Sequence, residues 1–397
     1  MMVQTADTCL DQRHTRSGIA LLASTLLSFL AASSAPTPLY PVYQAHWAFS
    51  PAMLTLVFAI YAFSLLAALL TLGKLSDYLG RRPVILAALL LEMLAMALFI
   101  EADGVGWLLA ARVMQGFATG MATSVLGAAL LDRNPERGPL FNSVAPQLGM
   151  ACGALGCGML VEWAPWPLHL VYLVLLLVFA AQALLLWWLP ETISRRPGAL
   201  ASLRPTLRVP PQARGALWRT LPVNVAVWSL GGFYLSLAPS LIRAATGSNS
   251  ALVGGLAVTA LTLSGALSIL WLRQHTAQQV LRIATTLLLI GVSAMLVAVR
   301  AGWLWLFLLA SLVAGGGFGS GFLGALRSVM PLAHAHERAG LMATYYVISY
   351  LAFCVPALLA GVMARHFGLV ATATGFATVL IGLTLVALIG LARRDHA

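Results

Sequence analysis

The chain has 397 residues, of which 60% are hydrophobic and only 9% charged. A soluble domain carries about 25% charged residues, so a soluble globular fold is excluded and a polytopic membrane protein is expected. The formal charge of +11 comes from arginines scattered singly or in pairs, which speaks against a nucleic-acid partner and fits orientation signals beside membrane spans.

A bilayer core about 30 Å thick needs about 20 apolar residues per helix, and a lipid-embedded backbone of this kind is satisfied as helix. Runs of that length fall at 18–40, 51–72, 84–100, 107–131, 140–161 and 168–189. A second set follows at 223–242, 251–272, 280–299, 302–326, 340–364 and 367–391. The fold class is therefore an all-α membrane protein with twelve transmembrane helices. It divides into a tail (1–16), a first six-helix bundle (17–189), a linker (190–219), a second six-helix bundle (220–391) and a short tail (392–397). The linker holds Pro190, Pro197, Pro205, Pro210 and Pro211 among arginines and has no apolar run.

With the N-terminus placed in the cytoplasm, every Lys and Arg except Arg112, Arg243, Arg300 and Arg365 falls on the cytoplasmic side. That bias puts both termini inside. Arg13 and Arg16 before a run ending Ala31-Ala32-Ser33-Ser34-Ala35 also fit a cleavable signal peptide. The halves repeat faintly: at an offset of 201 residues Gly116, Gly120, Glu136 and Arg137 fall on Gly317, Gly321, Glu337 and Arg338. Ala35-Pro36-Thr37 similarly parallels Ala238-Pro239-Ser240. Duplicated halves around a midplane site are a common transporter plan.

Between the second and third runs stands Gly73-Lys74-Leu75-Ser76-Asp77-Tyr78-Leu79-Gly80-Arg81-Arg82-Pro83. Gly73 would let a helix end approach a neighbour, Asp77 could face a helix N-terminus, Gly80 permits a tight turn, and Pro83 suits a helix start. The insert resembles the loop signature Gly-x-Leu-x-Asp-x-x-Gly-Arg-Arg-Pro of the major facilitator superfamily, with Tyr78 where many members carry a basic residue. The resemblance implies two six-helix halves that alternate access to a central site, and it favours an uncleaved first span. It also implies a cytoplasmic gate, in which Arg81 bonds Asp132 and Asp77 caps the eleventh helix near Ala339 and Gly340. Exposed loop charges of little energetic weight are the alternative.

Ionisable groups inside spans are costly and are functional candidates. Arg112-Val113-Met114-Gln115-Gly116 resembles the superfamily's fourth-helix Arg-x-x-Gln-Gly signature, which implies a role in proton coupling for Arg112 and Gln115. Snorkelling of Arg112 to the outer surface is the other reading. Glu92 lies within roughly 10 Å of Arg112 in depth, so the two either pair or share a proton path, or else Glu92 is a protonated structural acid. By resemblance the substrate cavity takes Ser34, Thr37, Gln147, Tyr234, Phe318, Tyr345 and Tyr346, with Ser33 and Tyr350 nearby. In the fifth run, Gly153-Ala154-Leu155-Gly156-Cys157-Gly158 keeps two glycines of the superfamily's antiporter signature and lacks its proline.

His334 and His336 are read as loop residues rather than a metal site, and the four cysteines Cys9, Cys152, Cys157 and Cys354 as reduced packing residues. No Gly-rich phosphate loop with Lys is present, so no cofactor and no ATP-driven step is expected. The expected function is secondary active transport in a bacterial-type inner membrane, as proton-coupled export of a small hydrophobic or amphipathic compound by a monomer. An importer or facilitator of a small neutral metabolite is the alternative. A polytopic membrane enzyme is disfavoured, since no His stands mid-span to build a catalytic cluster.

Overall fold

The computed structural model describes residues 2–334 and 336–392, with side chains from Ser17 onward. Arg393 and Arg394, and the side chains of Cys9, Arg13 and Arg16, lie outside the described residues. The described chain is helical, with no strand among the described residues. Eleven helices are long and apolar enough to cross a membrane, and a bent pair makes the twelfth. The spans of the first half are α1 (Ser17–Trp47), α2 (Pro51–Leu72), α3 (Arg81–Ile100), α4 (Val105–Arg133), α5 (Gly138–Trp163) and α6 (Leu170–Trp188). Those of the second half are α7 (Pro211–Ser236 with Ala238–Thr246), α8 (Ala251–Leu272), α9 (Ala277–Ala301), α10 (Leu304–Leu332), α11 (Arg338–Phe367) and α12 (Leu369–Ala392).

The repeat seen in the sequence has a structural counterpart. Span α1 breaks between Ser34 and Pro36, and α7 bends by 67° at Leu237 before Pro239. In each case a proline lacks the N–H that would continue the helix ladder. Ser50 caps α2 by accepting from Met53 N, and Ser250 caps α8 by accepting from Val253 N. The stretch read as a linker up to residue 219 is shorter than expected. Helix α7 starts at Pro211, a favoured first helical position because its missing N–H has no intrahelical role there, and so it absorbs the last residues of that stretch.

Glycines set the helix spacing. A Cβ on Gly319 of α10 would lie 2.6 Å from Gly265 Cα of α8, so backbone meets backbone there as in small-residue membrane packing. Gly149 and Gly153 of α5 meet α1 at Leu27 and Ala31 in the same way. Tryptophans follow the interfacial belt: Trp163, Trp166, Trp187, Trp188, Trp303 and Trp305 stand exposed at span ends.

The two bundles meet along α5 with α8 and α2 with α11. The hydrogen bonds that tie α1 to α7 lie on the face away from the 73–83 loop. Thr37 Oγ1 donates to Leu235 O at 3.0 Å, and Ser240 Oγ to Gln44 Oε1 at 2.9 Å. On the same face Ser250 Oγ donates to Glu162 Oε2 at 2.9 Å. On the loop face the ion pairs of Arg81 with Asp77 and Asp132 stay within the first bundle. The linker touches each bundle there, Arg196 N donating to Tyr78 O and Arg208 N to Gly340 O. These bonds between bundles thus gather on the face away from the loop, while near the loop face α5 and α8 meet through apolar packing of Val144 with Ala266 and Ile269.

Candidate functional site

Three charged or amide side chains are withdrawn from solvent inside the first bundle. Glu92 on α3 and Gln115 on α4 are fully buried, and Arg112 is only 1% exposed. Arg112 does not snorkel. Its Nη1 donates to Gln115 Oε1 at 2.6 Å and to Ser33 O at 3.0 Å, and its Nη2 donates to Tyr40 OH at 2.7 Å. Its guanidinium lies 4.5 Å from the centroid of the Tyr61 ring, within cation–π range. Gln115 Nε2 then donates to Ala32 O at 3.0 Å and to Glu92 Oε1 at 3.2 Å. The carboxylate and the guanidinium thus do not touch; the Gln115 carboxamide stands between them. Glu92 Oε2 and Arg112 Nε are buried without a hydrogen-bond partner.

The break in α1 makes this possible. Pro36 interrupts the ladder next to Ala32 and Ser33, whose carbonyls turn to Gln115 and Arg112, and it brings Tyr40 over α4. Buried polar groups are costly unless bonded, so a network with two orphaned atoms is the least settled part of this core.

At the 73–83 loop, Gly80 adopts φ +96°, a conformation glycine reaches without strain. The turn brings Arg81 back over its own loop and α4. Its Nε donates to Asp132 Oδ2 at 2.9 Å and its Nη1 to Asp77 Oδ1 at 2.6 Å and to Ser76 Oγ. The Arg81–Asp132 bond is as expected. Asp77 does not cap the eleventh helix: it pairs with Arg81, while Gly340 at the start of α11 faces the linker residues Thr206 and Arg208. Arg81, four residues away on the same turn, takes the Asp77 carboxylate instead. Gly73 meets no neighbouring helix either; only Leu69 of its own helix is within reach. Arg82 turns to the end of α6, its Nη2 donating to Trp187 O at 3.1 Å.

One partner went unforeseen. Glu191, just after α6, accepts from Arg81 N at 2.8 Å and Arg82 N at 2.9 Å, so its carboxylate covers the free N–H groups that begin α3. Burial alone would raise its pKa, but the backbone N–H groups of Arg81, Arg82, Ile193 and Thr192 outweigh it and hold the carboxyl below the usual carboxylate range. The unfolded value is about 4.3, so this stabilisation is fully present above that pH and is lost as pH falls through the folded pKa. Glu191→Gln is expected to lower the thermal midpoint of the purified protein by a few degrees at pH 7, with the gap to the parent closing below about pH 4. A gap independent of pH would assign the loss to side-chain shape instead.

The residues expected to line a cavity divide in two. Gln147, Phe318 and Tyr346 are half-buried, as is Tyr350, and Gln147 Oε1 is buried without a hydrogen-bond partner beside Gly265 of α8. The other four are spent on packing. Ser34 Oγ bonds Met150 O between α1 and α5, and Thr37 bridges the bundles. Tyr234 OH pairs with Ser311 Oγ at 2.7 Å, and Tyr345 OH donates to Asn224 Oδ1 at 2.8 Å, both within the second bundle. Each is buried, because a hydroxyl inside a lipid-embedded bundle finds the nearest carbonyl or hydroxyl partner.

Sequence reasoning missed the centre of the aromatic wall. Trp228 of α7 lies 4.9 Å from Tyr350, 5.6 Å from Phe353 and 5.8 Å from Phe322, ring centre to ring centre. Phe353 continues to Phe58 of α2 at 4.9 Å, and Tyr61 beneath Arg112 is one helical turn further on. A chain of rings therefore runs from Trp228 of α7 across to the buried charge network. The signal was available, since Trp228 stands inside a span whereas the exposed tryptophans stand at span ends.

The family model described as Major Facilitator Superfamily matches residues 21–352. The chain belongs to that superfamily. Two solved structures share its architecture. One is a point mutant of the nucleoside transporter NupG, with TM-score 0.71, 12% identity and coverage of 95% of this chain and 99% of that one. The other is the human organic anion transporter MFSD10, with TM-score 0.67, 20% identity and coverage of 94% and 99%. At these identities they bear on the fold alone. Among curated proteins, the transporter paaT of Penicillium rubens is 30% identical over 31% of this chain and 23% of its own length. MdtD of Pectobacterium carotovorum, provisionally named for multidrug resistance, is 29% identical over 37% of this chain and 32% of its own. The chain thus matches less than a third of the length of these relatives. Superfamily membership thus rests on the family model, and paaT is a relative named as a transporter.

Proposed function

We propose that this superfamily member exports a small hydrophobic or amphipathic compound in exchange for protons, with the 73–83 loop and both termini on the cytoplasmic side of a bacterial-type inner membrane. The observation that carries the reading is the fully buried Glu92, bonded through one oxygen to Gln115 and with the other unbonded. A carboxyl so placed is a carrier for one proton, and its environment changes when α1 and α4 move. Arg112 sits one residue away in the network and holds α1 through Ser33 and Tyr40. Protonation at Glu92 and the position of α1 are therefore linked through Gln115.

The substrate class follows from the wall. Trp228, Phe322, Tyr346, Tyr350 and Phe353 offer ring faces, and Gln147 adds one amide, with no carboxylate or ammonium among them. Such a surface holds apolar or planar solutes and gives an anionic metabolite nothing to bind. On this reading solute enters from the cytoplasm and leaves once the bonds of Thr37, Ser240 and Ser250 on the far face part. The partial likeness to MdtD fits export. A monomer is sufficient for this cycle.

Inside-out vesicles carrying the protein, with an acid interior reported by a pH-sensitive dye, test the reading against a panel of amphipathic compounds. Some compound should collapse the gradient with the parent protein, and the response should fall to background with Glu92→Gln. Solute entry into whole cells without any proton movement would instead identify an importer or facilitator of a neutral metabolite.

A further inference from the structure

A cavity of about 420 Å³ lies at the perimeter of the first bundle, between the loop-face ends of α3 and α6. Its two ends differ in character. Arg82, Arg195 and Glu191 line the end nearest the loops, whereas Leu86, Ala183 and Leu186 line the end within the spans. Leu86 is four residues beyond Arg82, so the apolar part begins about 6 Å deeper along the helix axis. Trp187 also borders the cavity, and with Trp188 it is exposed, at 68% and 77%, in the position of an interfacial belt. Span α6 is among the least enclosed: 28% of its most apolar window is buried, against 67% for α4. The cavity therefore opens toward lipid rather than toward the cleft between bundles.

The charge at its polar end is unbalanced. Among the described residues neither Arg82 nor Arg195 forms an ion pair; the two recorded pairs both belong to Arg81. Glu191 forms no ion pair with either arginine, its carboxylate accepting backbone N–H groups of Arg81, Arg82, Thr192 and Ile193, but it offsets one of their charges and leaves the polar end net positive. Arg82 spends one bond on Trp187 O, which holds its guanidinium at the cavity rim.

We propose that this cavity binds an anionic phospholipid of the leaflet on the 73–83 side. The phosphate sits between Arg82 and Arg195, and the upper part of one acyl chain lies along Leu86, Ala183 and Leu186. Two guanidinium groups above an apolar bed match a phosphodiester joined to hydrocarbon. A soluble phosphate would leave the apolar bed unfilled, and a neutral amphiphile would leave the net positive charge of the polar end unmatched. Arg82 and Glu191 also clamp the start of α3 to the end of α6, so the bound lipid braces the turn that carries Arg81.

The test is native mass spectrometry of the purified, delipidated full-length protein with equimolar phosphatidylglycerol and phosphatidylcholine of identical chains. About tenfold greater retention of one phosphatidylglycerol is expected, between the roughly fivefold of one guanidinium contact and the roughly thirtyfold of two, because Glu191 offsets part of the charge. Arg195→Gln, an exposed position with no recorded structural bond, should bring the two lipids to within a few-fold. Ala183→Trp fills the apolar end with the charges intact and should also reduce the phosphatidylglycerol adduct. Arg273→Gln, on a different loop of the same face, should leave the preference in place. Equal retention of both lipids, an unchanged preference in Arg195→Gln, or an equal loss in Arg273→Gln would overturn the proposal. So would displacement of the lipid by glycerol phosphate at equal concentration, which would mark an anion site that makes no use of the chain.

Discussion

Arg112→Ala is expected to reduce proton-coupled transport roughly 100-fold or more, to the background of empty vesicles. The side chain makes three hydrogen bonds from a buried charge, to Gln115, Ser33 and Tyr40. Bonds to charged groups are worth about 1.5–3 kcal/mol each, and a lost fraction of that sum already exceeds the roughly 2.7 kcal/mol equal to a hundredfold change. The truncated site also leaves Gln115 Oε1 and Tyr40 OH without their donor, and it frees the broken span α1 from α4. Arg112→Lys separates charge from geometry. It retains the cation but not the fork that reaches Gln115 and Tyr40 together, and it should still transport at least tenfold more slowly while migrating as a folded monodisperse protein. Full activity in the lysine variant would reduce the role of Arg112 to its charge. Exchanging the charges, with Glu92→Arg and Arg112→Glu, should not restore transport, because Gln115 stands between the two groups and each would face the wrong end of its carboxamide.

Joining the bundles on the face away from the 73–83 loop should stop transport outright and reversibly. Glu162 Oε2 and Ser250 Oγ are 2.9 Å apart across the seam between α5 and α8. Cysteines at both positions, in a background with the exposed Cys152 replaced by serine, can be bridged by a short thiol-reactive linker with a reducible bond. Transport is expected to fall to background as the bridge forms and to recover on reduction, since the bundles must part on this face once per cycle. Either single cysteine should transport normally after the same treatment. Substantial transport with the bridge complete would contradict alternating access by rocking of the halves.

The gate and the charge network differed in how far they could be read ahead. The eleven-residue insert between α2 and α3 gave away the turn at Gly80 and the Arg81–Asp132 bond, because both depend on residues held by one short loop. The partner of Asp77 was misjudged for a physical reason: capping α11 requires a contact with the other bundle, whereas Arg81 stands only four residues away on the same turn and pairs with the carboxylate. Glu191 was invisible as a cap. It is distant from Arg81 in sequence, and only the return of α6 beside α3 sets its carboxylate over the helix start. Ser34, Thr37, Tyr234 and Tyr345 looked like solute contacts because polar groups in apolar runs invite that reading, yet each is satisfied by a neighbouring helix.

The amino-acid sequence by itself determined the number of spans, the division into two halves and the presence of a polar loop between the second and third spans. Those properties follow from run length, from the scarcity of charge and from local turn chemistry, all of which act over a few residues. It also singled out Glu92, Arg112 and Gln115, because ionisable and amide groups are rare and expensive in hydrocarbon. Only the tertiary structure decided that Gln115 stands between the other two, that Trp228 heads a wall of rings reaching Tyr61, and on which face hydrogen bonds tie the bundles together. These are matters of which side chains from different helices share one space. A lipid environment lowers the cost of several such arrangements almost equally, so small contacts between bundles, rather than composition, select among them.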